Sequence, residues 1–73
     1  MEVDTFWNRV KGQLKEKNIL QAEAARACDR SLDTLKGWMS KGINPPLWDA
    51  LKIAMLLEVS LEYLITGRKT YIQ

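Results

Sequence analysis

Apolar residues recur along this chain at three- and four-residue spacing, and polar or helix-breaking segments separate the runs. Phe6, Val10 and Leu14 repeat every fourth residue with Trp7 beside them, which predicts an amphipathic helix over residues 5–17, capped by Asp4 and stopped at Asn18. Its outer side carries Arg9, Lys11, Lys15, Glu16 and Lys17. A second, alanine-rich helix is predicted over residues 21–28. Ala24, Ala25 and Cys28 face inward there, and their small size lets a neighbouring helix approach closely. Cys28-Asp29-Arg30 makes a turn, and Ser31 caps a third helix over residues 32–40 whose buried side is Leu35, Trp38 and Met39.

KGINPP at residues 41–46 breaks the pattern, because Gly42 tolerates positive φ and proline cannot continue a helix. A fourth helix is predicted from near Pro46 to residue 57, with a core stripe of Leu47, Ala50, Leu51, Ala54 and Leu57. Val59-Ser60 resets the chain. Ser60 caps a fifth helix over residues 61–66, and Gly67 ends it. No strand pattern, internal repeat or low-complexity segment is present. The expectation is therefore an all-α, five-helix domain over residues 1–67, with residues 68–73 a tail or the start of a linker.

Composition narrows the function more than the fold. The chain has 73 residues, 47% of them apolar, enough for one small core and no second one. Cys28 is the single cysteine and histidine is absent, so neither an internal disulfide nor a structural zinc site is expected. Cys28 reads as a small core residue rather than a reactive thiol. No apolar run approaches the roughly 20 residues of a membrane span. The start, MEVDTFWNRV, lacks the basic-then-apolar order of a signal peptide, and one unpaired cysteine suits a reducing cytoplasm. Without histidine or a phosphate-cradling glycine loop, and with its nine acids scattered, the chain is not expected to be an enzyme or to hold a cofactor. The net charge of +2 permits nucleic-acid binding without requiring it.

The order of residues from Phe6 to Gly67 resembles the lambda-repressor-like helix-turn-helix domains, especially the N-terminal DNA-binding domain of phage CI-type repressors. Gln21, Glu23 and Ala25 fit that family's Q-x-E-x-A start of helix two. Thr34, Leu35, Trp38, Lys41, Gly42 and Pro45 resemble its T-L-x-x-W-x-x-K-G-x-x-P signature. Ala50, Ile53, Ala54, Val59, Ser60, Leu61, Leu64 and Gly67 resemble its closing segment. The chain departs from the pattern at Leu20, where a Ser or Thr cap is usual, and at Asp29, where many relatives carry glycine. Leu14 and Met39 stand where some relatives bury an Arg–Glu pair.

The resemblance implies a dimeric, cytoplasmic regulator, bacterial or phage-encoded, that binds a palindromic double-stranded operator; no small-molecule ligand is evident in the sequence. Carried over position by position, it places Ser31, Leu32, Asp33, Lys36 and Gly37 at base edges and Gln21, Arg26, Arg30, Ser40 and Lys41 at the DNA backbone. Lysine suits guanine O6 and N7, aspartate suits cytosine N4, and leucine suits a thymine methyl. Gly37 either allows close approach to the groove or to helix two, or is an ordinary surface position. The interleaved acids Glu23, Asp29 and Asp33 equally fit a plain solvated face. Trp38 belongs to the core, and Trp7 lies in it or half in it. Trp48 and Met55 share one helical face, and with Ile65, Tyr71 and Ile72 they form a candidate dimer or partner surface; alternatively Trp48 folds back over the proline turn.

Two further readings stay open. The fold also suits an antitoxin-like or phage accessory module that holds a protein partner and binds DNA weakly. The chain also fits the N-terminal part of a longer repressor.

Overall fold

Five helices follow from where side-chain caps and left-handed residues punctuate the chain. The computed structural model describes residues 5–68, and among these there is no strand. Helix α1, Phe6–Glu16, is capped by Thr5, not by Asp4: the Thr5 hydroxyl accepts from the Asn8 N–H at 3.2 Å. Asp4, Tyr71 and Ile72 lie outside the described residues. Helix α2, Gln21–Ala27, starts at Leu20 without a side-chain cap, as expected where Ser or Thr is missing. It ends one residue earlier than the pattern indicated, with Cys28 as its C-cap. Helix α3 runs Leu32–Lys41, α4 Leu47–Leu57 and α5 Leu61–Thr66. The Ser31 and Ser60 hydroxyls accept from Thr34 N–H at 3.1 Å and Tyr63 N–H at 3.0 Å, so both predicted serine caps are present.

Each helix is followed by a left-handed residue: Asn18, Asp29, Gly42, Glu58 and Gly67. At Asn18 (φ 58°) and Asp29 (φ 59°) short polar side chains tolerate this conformation. Glu58 (φ 58°) has no such advantage. Its position is held partly from outside. Neither α4 nor α5 has a basic residue in its last turn. Instead α1 supplies cations to both ends: the Lys17 ammonium donates to the Leu57 carbonyl, and Arg9 donates to the carbonyls of Leu64 at 2.8 Å and Ile65 at 2.7 Å. Arg9 and Lys17 are therefore not simply part of a solvated outer face, as the periodicity suggested. They tie the first helix to the last two.

The core joins Val10, Leu35, Ile53, Leu57 and Leu64, all fully buried, to the small residues Ala24, Ala25, Cys28, Ala50 and Ala54. Helix α2 packs on α3 and α4, while α1 packs on α4 and α5. Leu14 is buried and Met39 packs against the same cluster, so both are held by apolar packing. Two expectations need correction. Leu47 is 65% exposed rather than core, and Leu51 is half-buried. Ile53, with buried Asp49, occupies the inner side of α4 instead, because the buried arc centres on Ile53 and Leu57 and leaves Leu47 at its edge. Trp38 and Met39 are half-buried at the rim of the core, while Trp7 is fully inside.

Candidate nucleic-acid interface

The turn between α2 and α3, from Cys28 to Ser31, is closed by its own backbone. Asp29 N–H donates to Arg26 O and Arg30 N–H to Ala25 O, both at 2.9 Å. Asp29 takes the left-handed conformation that glycine would otherwise supply. Ser31 then starts α3, and its hydroxyl also shares a hydrogen bond with Thr34 Oγ1 at 2.9 Å.

Arg30 fixes this turn to the rest of the domain. Its Nε donates to Asp49 Oδ2 at 2.9 Å, and its guanidinium lies 5.3 Å from the centre of the Trp38 ring. Asp49 is itself buried, and its backbone carbonyl faces the Cys28 Sγ at 3.5 Å. Burial, reinforced by the Asp49 charge, pushes the Cys28 thiol above its ordinary value despite Lys52 and Arg30, which suits an inert core residue. At the far end of α3, Trp38 O accepts from Ile43 N–H at 2.9 Å, and Trp7 Nε1 donates to Ile43 O at 2.7 Å. The Trp7 and Trp38 rings lie 6.4 Å apart. Both ends of α3 are thus held by side chains from other helices, and its outer side is left clear.

Asp33, Lys36, Gly37 and Ser40 fall at i, i+3, i+4 and i+7, opposite fully buried Leu35, so they form one stripe. Asp33, Lys36 and Ser40 are exposed and Gly37 is half-buried. A Cβ built at Gly37 would meet no atom within 4 Å. Nothing inside the described chain therefore requires glycine there, and close packing on α2 is not its reason. Leu32 is half-buried on the flank, and the Ser31 hydroxyl is engaged as a cap. Thr34, a signature residue that was not among the expected DNA contacts, is exposed beside the stripe, and its hydroxyl is paired with Ser31.

The five residues expected at the DNA backbone are more scattered. Lys41 and Ser40 are exposed at the end of α3, with the Ser40 hydroxyl donating to Gly37 O at 3.2 Å. Gln21 is half-buried at the start of α2. Arg26 is exposed and lines a shallow groove with Leu20, Glu23 and Leu56. Arg30 is committed through Nε, although 42% of its side chain remains exposed. The Arg30–Asp49 bond was invisible in the sequence, where nothing local connects a turn residue to an aspartate nineteen positions away.

A second outward surface lies on α4. Trp48 and Met55 are 70% and 69% exposed, and Leu47 and Ile65 also face solvent. Trp48 does not fold back into the domain. Beside it lies an apolar groove of about 280 Å3 lined by Phe6, Asn44, Pro45, Leu47, Ala50 and Ile65. Among the described residues no cluster of His, Cys, Asp and Glu is arranged to hold a metal, and no helix is long and apolar enough to cross a membrane.

Compared with known protein families, curated proteins and solved structures, the chain has no match in any of the three.

Proposed function

We propose that this protein is a sequence-specific, double-stranded DNA-binding regulator, a repressor of the helix-turn-helix kind its sequence resembles, which acts as a homodimer in a bacterial cytoplasm with α3 in the major groove. The observation that carries this reading is the polar stripe of α3, exposed along one side of a helix whose two ends are anchored. A rigidly held helix with an uncovered polar side is the form that enters a major groove. Lys36 donates to guanine O6 and N7, and Asp33 accepts from cytosine N4. Gly37 beside them keeps the helix surface low, so the groove floor comes closer. Leu32 contributes only its exposed edge, and Ser31 serves chiefly to start the helix. Lys41, Arg26 and the exposed part of Arg30 meet phosphates, with Ser40 and Gln21 alongside.

Selection from randomised duplexes tests this. The wild type enriches a half-site containing a C·G or G·C pair under α3. Lys36→Ala relaxes one base position, whereas Arg26→Ala weakens all sequences alike. If both variants weaken every sequence equally, Lys36 is a phosphate contact and base reading is wrong.

The second reading, a protein-binding module with weak DNA affinity, draws on the exposed apolar side of α4. That surface is also accounted for by a second copy of the chain.

A further inference from the structure

The apolar surface of α4 contains both a projection and a recess. Trp48 projects with 70% of its surface exposed. Leu47, its neighbour in the chain, lines the groove of about 280 Å3 between α4, the proline turn and α5. At 3.6 residues per turn the two side chains point about 100° apart around the helix. The projection and the recess therefore lie side by side on one continuous face, which Met55 extends by two turns. An isologous interface requires this property: one patch must hold both halves of the contact, so that each copy gives what it receives.

We infer that two copies of this chain pair through a two-fold contact in which Trp48 of each copy enters the groove of the other, between Pro45, Leu47 and Ile65. Three observations support a second copy as the occupant. Leu47, Trp48, Met55 and Ile65, each more than half exposed, offer side chains on the order of 100–200 Å2 each. Together that is roughly 500 Å2, well over half of the about 800 Å2 each partner contributes to a stable interface. Among the described residues the recess is lined almost entirely by apolar groups and holds no charged side chain, so it fits an indole rather than a charged peptide. Lys52 is the one charged residue on the outer side of α4, so two positively charged copies meet with little mutual repulsion. The inference stands on this surface alone and needs no DNA.

Sedimentation velocity without DNA tests it, with helicity by circular dichroism confirming the fold of each variant. The wild type runs at twice the monomer mass at micromolar concentration. Trp48→Glu raises the dimer dissociation constant on the order of 30-fold or more, as expected for a buried aromatic anchor. Ile65→Lys, placed in the groove wall, does the same. An equimolar mixture of the two variants recovers the dimer. In the mixed pair the new carboxylate of one chain meets the new ammonium of the other, while the second contact keeps its wild-type indole and groove.

A monomeric wild type overturns the inference, and retention of a different protein by that monomer would assign the face to a foreign partner. A dimer that survives both substitutions places the interface elsewhere. Two monomeric variants that fail to recover on mixing rule out the exchange of Trp48 into the partner's groove.

Discussion

Helices α3 and α4 both bury one side in the same core, but what they turn outward differs in kind. The outer side of α3 is Asp33, Lys36, Gly37 and Ser40, polar groups that water satisfies. The outer side of α4 carries, beside Lys52, Leu47, Trp48 and Met55, which water does not. An exposed polar stripe costs an isolated domain nothing and so proves little by itself. An exposed indole with an apolar recess beside it has no such innocent reason. The surface most easily explained by resemblance is therefore the weaker physical argument, and the apolar surface of α4 is the stronger one. The two are joined at one point, where Arg30, from the turn before α3, bonds Asp49 in the first turn of α4.

That joint gives the largest expected change in stability. Arg30→Ala leaves a buried carboxylate without its cation. Such a loss costs about 3–5 kcal/mol when both partners are buried, and solvent at the half-exposed arginine reduces it to about 2 kcal/mol. Urea denaturation checks this, and a change below about 0.5 kcal/mol would show that the bond does not link the two helices. Because this variant disturbs the placement of α3, any loss of DNA affinity must be compared with Arg26→Ala and Lys41→Ala, which leave stability unchanged.

Asp33→Asn separates the faces next. Asparagine pairs with adenine N6 and N7, whereas aspartate accepts from cytosine N4. The preferred half-site should change from C·G to A·T at one position, by about 1–3 kcal/mol of discrimination, with the dimer unaffected. If the selected sequence is the same for both proteins, Asp33 does not touch a base.

Smaller effects follow at two backbone positions. Glu58→Gly relieves a left-handed residue with a Cβ and should raise stability by about 1 kcal/mol; no gain in thermal midpoint would mean that the Lys17–Leu57 contact already offsets the strain. Gly37→Ala and Gly12→Ala both place a methyl group in open space, and each should stabilise its helix by about 0.5–1 kcal/mol. Only Gly37→Ala should weaken DNA binding. Equal behaviour of the two variants would remove Gly37 from the interface.

What the sequence revealed and what it concealed divide along the same physical line. Ser31, Ser60, Asp29 and Gly67 act on neighbours within three or four residues, so their roles were legible from local order. The end caps that Arg9 and Lys17 provide reach fifty-five and forty residues away, and no local pattern announces them. Leu47 was misplaced because a periodic stripe carried into the first turn of a helix ignores which side the core ends on. Glu58 gave no warning either, since glutamate seldom adopts a left-handed conformation. The stripe on α3 was legible as a set of residues. That Ser31 is occupied as a cap and Leu32 half-covered came only from the packing, and it narrows the proposed base reading to Asp33 and Lys36.

The most direct test of the central claim is the salt dependence of binding to mixed-sequence duplex DNA, with the protein's fold and mass checked under the same conditions. With Arg26, Arg30 and Lys41 on phosphates in each of two copies, log affinity should fall with log salt at a slope of about −5. A folded protein that shows no binding at low salt, or a slope near zero, contradicts the proposal that α3 works on DNA.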